Sequence, residues 1–262
     1  MRNTVRIFLV GGLTSYRALF NWVNPWVYLP HMLGYPIFEI LFFAYLGRFA
    51  NVQSDKFFLI GNAFMSIAVT GFFGMGQAIG GERRSQTLAT LLASPANRFA
   101  LFLGRAVPSI LTGLVTAAFA FAICSVILGT HFGTGELAGL ALAGLVSSFA
   151  CTSLGMCLGS LGLRGRSVSL FADVVGGSML LVSGANVPLD RLPTAIRDLG
   201  SVIPLTHGIA AGRILAAGGS VSSAKHLLLT EALVGAVYFL VGIGMLRVLE
   251  YSGRRSAALE TF

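Results

Sequence analysis

Residues Phe58–Arg98, FLIGNAFMSIAVTGFFGMGQAIGGERRSQTLATLLASPANR, join an apolar run to a polar one, and that join decides what kind of protein this is. The stretch Phe58–Ile79 carries no charged side chain. A helix of about 20 mostly apolar residues crosses the ~30 Å hydrocarbon core of a bilayer, so this run reads as a membrane span. Gly80–Arg98 follows with Glu82, Arg83, Arg84 and Arg98 before the next apolar run. Within it Ser85–Ser94 has helical character, with Leu88, Leu91 and Leu92 on one face. So short a helix reaches only about 15 Å, half a membrane. Its apolar face must bury against lipid, its own bundle or a soluble partner. Ser94 and Pro95 then restart the chain as N-cap and first helical position.

The rest of the chain repeats this pattern. Its 262 residues are 55% hydrophobic and 11% charged, against roughly 25% charged in soluble domains. Six spans are expected, at residues 27–46, 58–79, 99–128, 137–163, 168–187 and 226–249, forming one all-α membrane domain over residues 1–262. With the N-terminus inside, the cytoplasmic side receives Arg2, Arg6, Arg17, Arg83, Arg84, Arg98, Arg105, Arg164, Arg166, Arg247, Arg254 and Arg255. The other side receives Arg48, Lys56, Arg191, Arg197, Arg213 and Lys225. This bias places both termini inside. It also accounts for the net charge of +8 by anionic lipid rather than nucleic acid.

Residues 1–24 carry Asn3, Arg6, Thr14, Arg17 and Asn21 on one stripe and Leu9, Leu13, Tyr16 and Phe20 on the other side, the pattern of an amphipathic interfacial helix. Arg17 interrupts the apolar run a signal peptide needs. The first span holds Pro30 and Pro36 and is expected to bend. Residues 188–218 are too apolar for a solvated loop and too broken by Pro188, Pro193 and Pro204 for a span. They read as two short re-entrant helices buried against the bundle, the second N-capped by Thr206, because broken backbone is tolerated at depth only where protein covers it.

Three carboxylates fall within spans, Glu39, Asp173 and Glu231, where a charge is costly and usually faces the bundle interior or a water-filled path. Glu39 suits a path or gate, or an inter-helix hydrogen bond through a protonated carboxyl. Asp173 lies near the cytoplasmic interface beside Arg164 and Arg166. His207, in PLTH, stands near a helix start and is a further gate candidate, more structural than catalytic. A proton-coupled secondary transporter would use such carboxylates, but no inverted repeat relates the two halves. Cys124, Cys151 and Cys157 lie in apolar runs without disulfide or zinc spacing. The four histidines are scattered without a metal motif, and neither Lys56 nor Lys225 follows a G-x-x-x-x-G-K-[ST] phosphate loop, so no enzyme activity is expected. GMCLG, Gly155–Gly159, permits close helix approach, within the chain or to another subunit.

GERRSQTLATLLASPANRFALFLGRAVPSI resembles the cytoplasmic signature of type-2 ABC transporter permeases, and SGANVPLDRLP with IPLTHGIAAGRIL is similar to their late motif before the last span. Gln86 stands where many relatives carry glycine. The resemblance implies a permease subunit that pairs with a second permease, identical or not, and with two copies of a cytosolic ATPase that holds ATP and magnesium. No cofactor would be bound by this chain. Residues 82–94 would form the coupling helix, with Glu82, Arg83, Arg84, Thr87, Leu88, Leu91 and Leu92 meeting the ATPase. The re-entrant helices would line or close the outer end of the path. The few central polar groups favour export of an amphiphilic drug-like, antibiotic or lipid-like substrate; a polysaccharide or lipo-oligosaccharide is the alternative within the family.

Overall fold

A computed structural model describes residues 25–84, 98–164 and 168–255. The interfacial helix expected at 1–24 lies outside these residues, as do Thr87, Leu88, Leu91 and Leu92. The described chain forms α1 (Pro25–Ala50), α2 (Asp55–Arg84), α3 (Arg98–Leu128), α4 (Thr134–Arg164) and α5 (Val168–Val182). A 3-10 turn (Leu189–Arg191) leads to α6 (Thr194–Val202), α7 (Thr206–Ala216) and α8 (Val221–Arg255). Among the described residues there is no strand.

Five stretches are long and apolar enough to cross a bilayer: Met32–Ala50, Asp55–Gly80, Leu103–Leu128, Thr134–Gly162 and Val221–Val248. They correspond to five of the six expected spans. The remaining one, α5, has 15 residues and reaches only about 22 Å. It stops at Val182 rather than Val187 because the chain turns there: Gly184 adopts φ +79°, and the Ser183 hydroxyl accepts the N–H of Ala185. The second span runs longer than its apolar part, since α2 continues in helix through Glu82, Arg83 and Arg84.

The helices α2 and α4 form the centre of the bundle. On α2 pack α1, α3, α5 and α7, while α8 lies along α4. Lipid tails are as apolar as leucine, so helices in a membrane associate by close packing rather than by a hydrophobic force. The α2–α4 seam shows this. A β-carbon on Gly155 would meet the backbone of Phe72 at 2.5 Å, and one on Gly159 would meet Ile79 at 2.7 Å. The GMCLG motif therefore makes a contact within the chain.

Side chains at the turns fix how the helix ends gather. Arg48 donates Nε and Nη2 to the two oxygens of Asp55 at 2.8 and 2.6 Å, closing the α1–α2 turn. Lys56 donates to the carbonyl of His131 at 3.0 Å and sits 4.6 Å over the Phe132 ring, which brings the α1–α2 and α3–α4 turns to one end. Toward the other end Arg105 donates to the Ala78 carbonyl at 2.7 Å, tying α3 to α2.

Candidate functional site

The end of the bundle that carries these two turns also carries α6 and α7, which bend by 91° at Ile203–Leu205. Pro204 makes the break there, because it has no N–H to continue a helix. The backbone groups freed by the break find partners on α8 and within the pair itself.

Glu231, on α8, is fully buried. One carboxyl oxygen accepts the N–H of Leu205 at 2.6 Å and the other the N–H of Gly208 at 3.1 Å. A helix leaves its first N–H groups without internal partners, and an oxygen acceptor satisfies them. The cap of α7 therefore comes from α8 and not from Thr206, as the local sequence suggests. The Thr206 hydroxyl instead donates to the Gly200 carbonyl at 2.7 Å, and His207 Nε2 donates to that of Ser201 at 3.0 Å. Both fasten the last turn of α6 to the first of α7. Gly208 is small of necessity, since a β-carbon there would run into the Ser147 hydroxyl of α4.

Arg213, in the last turn of α7, grips the opposite side. Its Nη1 donates to the Gly184 carbonyl at 2.8 Å, and its Nη2 donates to Ala185 at 3.1 Å and Phe57 at 3.2 Å. The guanidinium carbon lies 3.5 Å from the centroid of the Phe57 ring, a cation–π contact. Below it the Ser183–Asn186 turn rests on α2. Ala185 fills the space that a side chain on Gly61 would need, and Asn62 donates to Asn186 Oδ1 at 2.9 Å. The two late motifs are thus one assembly around α7.

The expected site residues divide. Glu231 and His207 belong to this assembly, as structural ligands of the bent pair. Glu39 is half-buried on α1 and Asp173 exposed on α5; neither joins them. Glu82, Arg83 and Arg84 end α2 by their backbone. The short helices were expected to bury their apolar faces. This holds for α7, but α6 turns Ile196, Leu199 and Val202 outward and touches the bundle through Gly200, where a β-carbon would collide with the Val182 carbonyl. Arg213, Asn62 and Asn186 were missed. The signal available was an arginine inside the apolar stretch IAAGRIL.

Long apolar helices around a tightly packed central pair, with a broken helix pair anchored at one end, define a multi-pass helical membrane protein. The chain belongs to the ABC-2 type transporter family, whose profile matches residues 13–216. It is 24% identical over 170 residues to the inner membrane transport permease YhhJ of Escherichia coli (strain K12), and equally to that of Shigella flexneri. Those residues are 64% of this chain and 45% of each relative, so the chain spans under half the length of the curated relatives it matches. Its apolar helices and its family make it a multi-pass protein of the inner membrane.

Proposed function

We propose that this chain is the membrane-spanning subunit of an ATP-driven exporter. A separate cytosolic ATPase, present in two copies, binds ATP and magnesium; this chain performs no catalysis. A second permease subunit completes the path. Both termini lie inside, the α6–α7 pair dips into the outer leaflet, and residues 82–94 contact the ATPase through Glu82, Arg83, Arg84, Thr87, Leu88, Leu91 and Leu92.

The observation that carries this reading is the course of α2. It runs as one helix of 30 residues, about 45 Å, from the end that holds the bent pair straight into the Gly80–Arg98 segment. A rod so placed suits a subunit driven from the cytosol. The bundle also leaves a face for a partner. On α1 the aromatics Tyr35, Phe38, Phe42, Tyr45 and Phe49 are exposed at alternating spacings of three and four, the repeat of a helix–helix seam. The outer face of α5, with Leu170, Phe171 and Val174, is exposed too. These faces would flank the path, with Glu39 and Asp173 as its polar residues and with Glu231 and His207 holding its outer end. An apolar, aromatic wall suits an amphiphilic drug-like, antibiotic or lipid-like substrate.

The test is an affinity pull-down of the tagged chain from host membranes in mild detergent, comparing wild type with Glu82→Arg plus Leu91→Asp. A phosphate-loop ATPase should copurify with the wild type and be lost from the variant, while the permease assembly stays intact. Absence of any ATPase under conditions that retain the assembly would overturn the proposal.

A further inference from the structure

The Arg213 contacts join parts of the chain that the proposed mechanism would have to move together. We infer that Arg213 is a positioning residue that couples α2 to the bent pair, so that displacement of α2 at its cytoplasmic end is carried to α6 and α7 at the other. The inference rests on the proposed ATPase-driven reading and names the contact that transmits it.

Three features carry it. First, α2 is one continuous helix of 30 residues locked along α4 at Gly155 and Gly159, so its two ends are joined by a packed element. Second, its outer end offers Arg213 two different surfaces, the Phe57 carbonyl and the face of the Phe57 ring. Third, the same guanidinium holds the carbonyls of Gly184 and Ala185, and Ala185 is wedged on Gly61 of α2. One planar fork therefore links the first turns of α2, the turn after α5 and the last turn of α7. Lysine cannot replace it, because an ammonium is a point donor and cannot span this set of carbonyls while lying flat on a ring. The pair has a second, separate anchor: Glu231 fastens the other end of α7 to α8. Loss of Arg213 should thus leave the pair docked on α8 and, through Gly212 against Phe64, on the middle of α2, but without its tie to the first turns of α2.

Hydrogen exchange of the complex, purified with its ATPase, tests this, with and without trapping by ATP and vanadate. In the wild type, trapping should change exchange both in α2 and in residues 194–216. In Arg213→Ala and Arg213→Lys the α2 response and ATP hydrolysis should persist, resting exchange of 206–216 should match the wild type, and the response of 194–216 should fall severalfold. A full response of 194–216 in Arg213→Ala would overturn the inference. So would resting exchange that rises to the undocked level in both variants, which would make Arg213 a static staple. A wild-type complex whose α2 does not respond to trapping would instead sink the ATPase-driven reading, and this inference with it.

Discussion

Leu205 shows what a single carboxyl group does in this protein. Its φ of +98° is a conformation that costs a residue with a β-carbon about 1–3 kcal/mol unless its surroundings hold it. Here they do, because the Leu205 N–H points at Glu231 and its side chain is fully buried. Glu231→Ala leaves the N–H groups of Leu205 and Gly208 without acceptors, at about 1–3 kcal/mol each. The expected outcome is faster hydrogen exchange across 206–216 and a lower thermal midpoint in detergent, with a smaller effect for Glu231→Gln, which retains one acceptor oxygen. At Gly208 the prediction is a rescue. Gly208→Ala should destabilise by collision with Ser147, and adding Ser147→Gly, which removes the opposing atoms, should recover most of the lost thermal stability. The sequence marked Glu231 and His207 as notable residues. It could not assign their work, because the groups Glu231 satisfies lie 26 and 23 positions away along the chain.

Among the helices, the α2–α4 seam depends on small side chains. Gly155→Val would push a side chain into the Phe72 backbone, and overpacking of this kind costs about 1–3 kcal/mol. The same change at Gly244, on α8, meets nothing within 4 Å and should shift stability by less than about 0.5 kcal/mol. Thermal unfolding followed by size exclusion in detergent distinguishes the two. The extents of the long helices were legible because hydropathy is a local property and every spanning stretch satisfies it by itself. The end of α5 was not. Residues 183–187 carry no charge to mark a boundary, and the turn at Gly184 and its seat on α2 bring the helix to a stop at Val182.

For the molecule as a whole, the outward-facing surfaces decide what it can join. The α1 aromatic stripe and the leucine- and valine-rich face of α8, which includes Leu229, Leu233 and Leu240, are both exposed. The stripe is aromatic and alternates between three and four residues over Tyr35–Phe49, whereas the α8 face is aliphatic over Leu229, Leu233, Val237 and Leu240. If it meets a second permease, single cysteines at Phe38 or Phe42 should cross-link between subunits in native membranes, and a cysteine at Leu233 should not. Cys124, Cys151 and Cys157 are buried and should stay silent. Equal cross-linking from α1 and α8 would rule out a dedicated face on α1.

The sequence by itself determined that this is a multi-pass helical membrane protein, roughly where its helices run, and which family it resembles. Each of these follows from composition, local hydropathy or contiguous motifs. Tertiary structure alone decided that Glu231 caps a helix, that α6 turns its apolar face outward, and that Arg213 reaches a carbonyl 156 positions away on α2. The physical reason is the broken helix pair. Its freed N–H groups need acceptors that the broken helix cannot supply, and in this fold a carboxylate on α8 supplies them from 26 and 23 positions away.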